Sequence, residues 1–127
     1  MEPLFDCWQD GITVARIPTK KRVAVAGQIE SGGRSCMETA LETVGIDEGS
    51  ETLVVVVADR KEQGMSGCTM EEALVRYDAT VTLKGDVPNR IRVRHRSEEA
   101  GDDRYSLDET VVFEEGTSDR RTKSVPC

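Results

Sequence analysis

Arg90, Arg92, Arg94 and Arg96 occupy every second position of the run Arg90-Ile-Arg-Val-Arg-His-Arg96. In a strand these four guanidiniums point the same way, roughly 6.6–6.8 Å apart. That spacing is close to the distance between phosphates along an extended nucleic-acid strand. Ile91, Val93 and His95 take the opposite face. A second group of cations, Arg16, Lys20, Lys21 and Arg22, lies in residues 11–29, which hold no acid although the chain has a formal net charge of −7. Basic clusters on an acidic protein are suited to a polyanion, which attracts them at long range and releases counterions on binding. The plainer reading makes them a solvated hairpin tip and the exposed face of an edge strand, where cations block unwanted pairing.

Other reactive side chains do not assemble into a pattern. Cys36 follows Arg34 at a predicted helix start, an arrangement that lowers a thiol pKa, but His95 is the only histidine and nothing in the sequence joins the two. The spacings of Cys7, Cys36, Cys68, Cys127 and His95 match no zinc pattern. Glu71-Glu72 and Glu114-Glu115 are adjacent and therefore diverge. Phosphate and dinucleotide loops are missing. No catalytic residue, metal or cofactor is expected.

A chain of 127 residues makes one domain, or one small domain with an arm and a tail. Aromatics are only 4%, so Val, Ile, Leu and Ala must fill the core. No apolar run approaches the length of a membrane span, and Met1 to Asp6 lacks the features of a signal peptide. Four widely spread cysteines without a Cys-x-x-Cys suggest reduced thiols and a cytoplasmic location.

The elements that position the cations read as follows. Ile12–Ile17 and Arg22–Ala26 are strands joined by a turn at Pro18–Lys21. Ser35-Cys-Met-Glu38 forms a capping box, and Cys36, Met37, Ala40, Leu41 and Val44 share a helical face ended by Gly45. Thr52–Val57 is a buried β-branched strand. Thr69–Glu72 opens a second short helix with Met70, Ala73, Leu74 and Tyr77 on one face. Ala79–Lys84, Arg90–Arg96 and Tyr105–Phe113 are further strands, and Glu114–Cys127 is a polar tail. This gives an N-terminal arm (1–11), a core (12–60), a helix-and-strand extension (61–113) and the tail (114–127).

The stretch Thr19-Lys-Lys-Arg-Val-Ala-Val-Ala-Gly-Gln-Ile29, followed by Ala40-Leu-Glu-Thr-Val-Gly-Ile-Asp-Glu-Gly-Ser-Glu-Thr-Leu-Val-Val-Val-Val57, resembles the AbrB/SpoVT/MazE swapped-hairpin family. The resemblance covers about residues 12–58, with Ser31 to Thr39 as an insertion. It implies a β-rich α+β fold: a swapped-hairpin β-barrel core with two short helices and a C-terminal β extension. It also implies a homodimer whose basic turns face double-stranded DNA and whose C-terminal region binds a toxin or other partner. Lys20, Lys21 and Arg22, with Arg16 on the preceding strand, are the implied DNA contacts, and Arg90, Arg92, Arg94 and Arg96 add a second strip. The expected function is a dimeric DNA-binding regulator or antitoxin-like protein. The alternative is an interaction module that docks an acidic partner without binding DNA.

Overall fold

The computed structural model describes residues 9–31, 37–61, 73–97, 105–114 and 119–125. Eight strands account for most of them: β1 (Gly11–Ile17), β2 (Arg22–Ser31), β3 (Met37–Asp47), β4 (Thr52–Lys61), β5 (Ala73–Thr82), β6 (Arg90–Ser97), β7 (Leu107–Val112) and β8 (Arg121–Val125). One 3-10 turn, Pro18–Lys20, joins β1 to β2. The strands form two four-stranded sheets. Sheet A has the order β5-β2-β1-β8 and sheet B the order β3-β4-β6-β7. All pairs are antiparallel except β4 with β6.

Alternation of apolar and polar residues decides which faces meet. Ile12 and Val14 of β1 and Val23 and Val25 of β2 face inward from sheet A. Leu53, Val55 and Val57 of β4 and Ile91 and Val93 of β6 face them from sheet B. Val87, Leu107, Val111 and Phe113 close the core. His95 continues the inward row of β6 and is wholly buried.

The expected barrel core with two short helices is corrected: the described residues contain two open sheets and no helix beyond the 3-10 turn. The first predicted helix is β3. Leu41 and Val44 are three residues apart, which imitates a helical face. In the structure a β-bulge at Glu42 interrupts the pairing with β4, so Leu41 lies opposite Val57 and Val44 opposite Val55 on one side of a strand. Thr39, Thr43, Val44 and Ile46 are β-branched and suit that extended backbone. Gly45, expected to end the helix, is a strand residue opposite Val54.

The second predicted helix overlaps β5. Val75, Tyr77, Ala79 and Val81 alternate with exposed Arg76, Asp78, Thr80 and Thr82, and this period-2 pattern extends the strand back to Ala73. Thr69–Glu72 lies outside the described residues. The tail expected at 114–127 contains β8, which pairs with β1 from Arg16↔Arg121 to Ile12↔Val125. Both sheets draw strands from residues 12–60 and from the chain beyond them. No helix of the described residues is long and apolar enough to cross a membrane.

Candidate functional site

The hairpin tip is built tightly. Pro18 starts the 3-10 turn with its fixed φ. Lys21 then takes the left-handed conformation, φ 51°, and its N–H donates to Pro18 O at 3.0 Å. Leu83 N donates to Lys21 O at 2.8 Å, and Lys21 Nζ donates to Lys84 O at 3.3 Å. The tip is thereby fastened to the β5–β6 connection. Lys20, Lys21 and Lys84 are exposed there, with Arg22 half-buried at the start of β2.

Arg16 does not belong to that surface. It follows Ile12 and Val14 in the inward row of β1 and is only 6% exposed. Its Nε donates to Pro88 O at 3.0 Å and a terminal nitrogen donates to Val87 O at 2.7 Å. Burial lowers its pKa from the usual guanidinium value. Arg16 therefore plugs one end of the sandwich and holds the β5–β6 connection against it.

The arginines of β6 do share one face, but β6 is an interior strand between β4 and β7. Asp108 of β7 lies opposite Arg94 in register and serves two of them. Arg92 makes a bidentate pair with it at 2.7 and 2.6 Å, and Arg94 Nε stands 3.2 Å from it. The hydrogen bond from Arg92 is the largest cause of the lowered Asp108 pKa, and the same bond raises that of Arg92. Arg94 and Arg96 stack on the Tyr105 ring, 4.2 and 5.2 Å from its centroid, and both donate to its hydroxyl. Arg96 also reaches Glu42 at 3.3 Å. The path is open because small Ala58 stands opposite Arg96 on the intervening strand. Three of the four arginines are thus engaged within the fold. Arg90 is exposed.

A second constellation lies inside the sandwich, and it joins the two sheets. His95 Nδ1 is 2.9 Å from Asp10 Oδ2, and His95 Nε2 is 2.6 Å from the Tyr77 hydroxyl. Ser106 Oγ donates to the same Asp10 oxygen, while Ser106 N donates to His95 O at 2.8 Å. Asp10 precedes β1, Tyr77 is on β5, His95 is on β6 and Ser106 precedes β7. Tyr77 fits because Gly27 lies opposite it on β2: a Cβ there would stand 2.5 Å from the ring. Burial raises the Tyr77 pKa first, and the Asp10 charge adds to that. The phenol stands where a nucleophile would stand relative to an Asp–His pair, yet its surroundings hold it protonated. The order Ser106–Asp10–His95–Tyr77 offers no exposed base. It is a polar clamp between sheets.

No protein family, curated protein or solved structure matches this chain.

Sequence reasoning placed His95 on the apolar face of β6 but missed its partners. The available signal was the histidine itself, since a buried imidazole needs two polar neighbours. Tyr105 was missed too. Cys36, with Cys7, Cys68 and Cys127, lies outside the described residues. Beside the basic tip, a cleft of about 810 Å³ opens between the β3–β4 turn and residues 86–90. Glu48, Glu51 and Asp86 line it together with Arg90. That end of the sandwich therefore displays cations and acids side by side.

Proposed function

We propose that this chain is a cytoplasmic interaction module that docks an acidic partner protein through its hairpin tip. The carrying observation is the fastening of the tip to the β5–β6 connection, which presents Lys20, Lys21 and Lys84 on one rigid surface. Rigidity matters because ordering long cationic side chains otherwise offsets much of what they contribute on binding. The widely spread cysteines fit a reducing compartment.

The same tip serves the DNA-binding reading, with Lys20, Lys21 and Arg22 against phosphates. Two features favour a compact acidic protein surface over a duplex. Arg92, Arg94 and Arg96 are engaged with Asp108, Tyr105 and Glu42. Glu48, Glu51 and Asp86 lie at the same end, where a long polyanion laid across it meets them. Few phosphates are then neutralised, and affinity scales steeply with that number.

Fluorescence anisotropy with two probes separates the readings. One is a labelled short glutamate-containing peptide and the other a labelled duplex, each at low and moderate salt. Tip-dependent binding of the peptide, lost when Lys20, Lys21 and Lys84 become Ala, supports the module. Tighter binding of the duplex with the same dependence supports a regulator instead. Binding of both probes unchanged by the triple substitution removes the tip from either role.

A further inference from the structure

Three of the four sheet edges are defended by charge. β7 sets Glu109 opposite Val93, on the core side. β8 sets Lys123 opposite Val14 on the core side, where it bonds Val112 O and stands over the Phe113 ring. β5 carries exposed Arg76 and Asp78. Charges placed in these ways prevent another strand from adding to an edge.

β3 has the bulge at Glu42 but little charge along its outer edge. From Thr39 to Ile46 its single charge is Glu42, which is drawn back across β4 to Arg96. Leu41, Val44 and Ile46 are 45%, 37% and 47% exposed. They lie opposite Val57, Val55 and Leu53, so they continue the core row past the last strand of sheet B. An apolar row of this kind is covered most directly by one more strand in the same sheet.

We propose that β3 pairs antiparallel with β3 of a second copy, about a two-fold axis at Gly45, to make one eight-stranded sheet. The register follows from self-complementarity. About Gly45, Val44 faces Ile46 of the partner subunit, and Ile46 faces the partner's Val44, all on the core side. Thr43 faces the partner's Asp47 on the other side. Across residues 43–47 no acid stands opposite an acid; the next position outward sets Glu42, which is held by Arg96, against the partner's Glu48, just past the end of β3. Moving the axis to Val44 sets Ile46 against the partner's Glu42, so an apolar group meets an acid. Gly45 has no side chain, and nothing lies within 4 Å of where one would stand, so the two backbones approach freely at the axis.

Sedimentation equilibrium of the full chain, from low micromolar to near-millimolar concentration, tests this. A monomer–dimer equilibrium is expected. Thr43→Lys places a cation opposite Asp47 twice and tightens the dimer by roughly 2- to 30-fold. Thr43→Asp places an acid there and loosens it by a similar factor. Val44→Lys abolishes the dimer while circular dichroism confirms the fold. If Val44→Lys does not fold, the Thr43 pair decides, since Thr43 is exposed. A chain that stays monomeric throughout overturns the proposal and leaves β3 to an extended strand of another protein. A dimer whose Kd ignores both Thr43 substitutions also overturns it.

Discussion

Replacing His95 by Phe keeps a ring in the core and removes both polar contacts of the imidazole. Asp10, whose side chain is 6% exposed, loses the donor 2.9 Å away. The Tyr77 hydroxyl loses its partner at 2.6 Å. A hydrogen bond to a charged group contributes about 1.5–3 kcal/mol, and an orphaned buried hydroxyl costs about 1–3 kcal/mol. The greater apolarity of Phe offsets about 1 kcal/mol of that sum. The expected net loss is about 1.5–5 kcal/mol, a large part of the ~5–15 kcal/mol that holds a domain folded. Urea denaturation followed by circular dichroism reads this as a midpoint lowered by about 1–2 M. Tyr77→Phe removes the hydroxyl alone and should cost about 1–2 kcal/mol. The double substitution should cost at least about 1 kcal/mol less than the two singles together, because both singles break the same bond. Additivity within about 0.5 kcal/mol refutes the clamp, as does a His95→Phe protein as stable as the parent.

Gly27→Ala puts a methyl 2.5 Å from the Tyr77 ring and should destabilise by about 1–3 kcal/mol, whereas the same substitution in a Tyr77→Ala background should cost little further. The raised Tyr77 pKa means the folded state binds the phenolic proton more tightly than the unfolded chain. That contribution is complete below about pH 10 and disappears as pH rises beyond it, by up to about 1.4 kcal/mol per unit, so urea midpoints should fall above pH 10 and Tyr77→Phe should flatten the fall. The lowered Asp108 pKa acts in the opposite sense. Its contribution is present at neutral pH and is lost as pH falls through the lowered value. Asp108→Asn should remove this acid limb, a change under about 1 kcal/mol that shrinks further in high salt, because the pair is a third or more exposed.

Strands with one partner face were legible in the sequence. Ile12–Ile17, Thr52–Val57 and Arg90–Arg96 show the alternation or β-branching that a half-buried or buried strand imposes. What misled was local resemblance to another period. A bulge adds a single residue, so Leu41 and Val44 became three apart and imitated a helix. Ser35-Cys-Met-Glu38 has the composition of a cap, yet the β-branched stretch that follows found a Val-rich neighbour in β4, and pairing prevailed over propensity. The candidate site was legible only in part. Lys20 and Lys21 are exposed where the turn placed them, and Arg22 is half-buried. Arg16 reads as one of them by sequence distance, and only the inward row of β1 reveals that it faces the other way. Asp10, Tyr77, His95 and Ser106 are far apart in the chain and meet because two sheets stack. No local pattern encodes that meeting.

The pairing of β8 with β1 sets a condition on the order of assembly. Ile12 is made well before Val125, yet they are neighbours in the finished sheet. While the chain is being synthesised, the side of β1 that will receive β8 stays bare, and Val112 O still lacks Lys123. Closing contacts so distant in sequence makes folding slow. The emerging chain therefore carries an unprotected strand until residues 121–125 are made to cover it. Substitutions in residues 121–125 should be felt first as aggregation during expression, before any loss of stability in the purified protein.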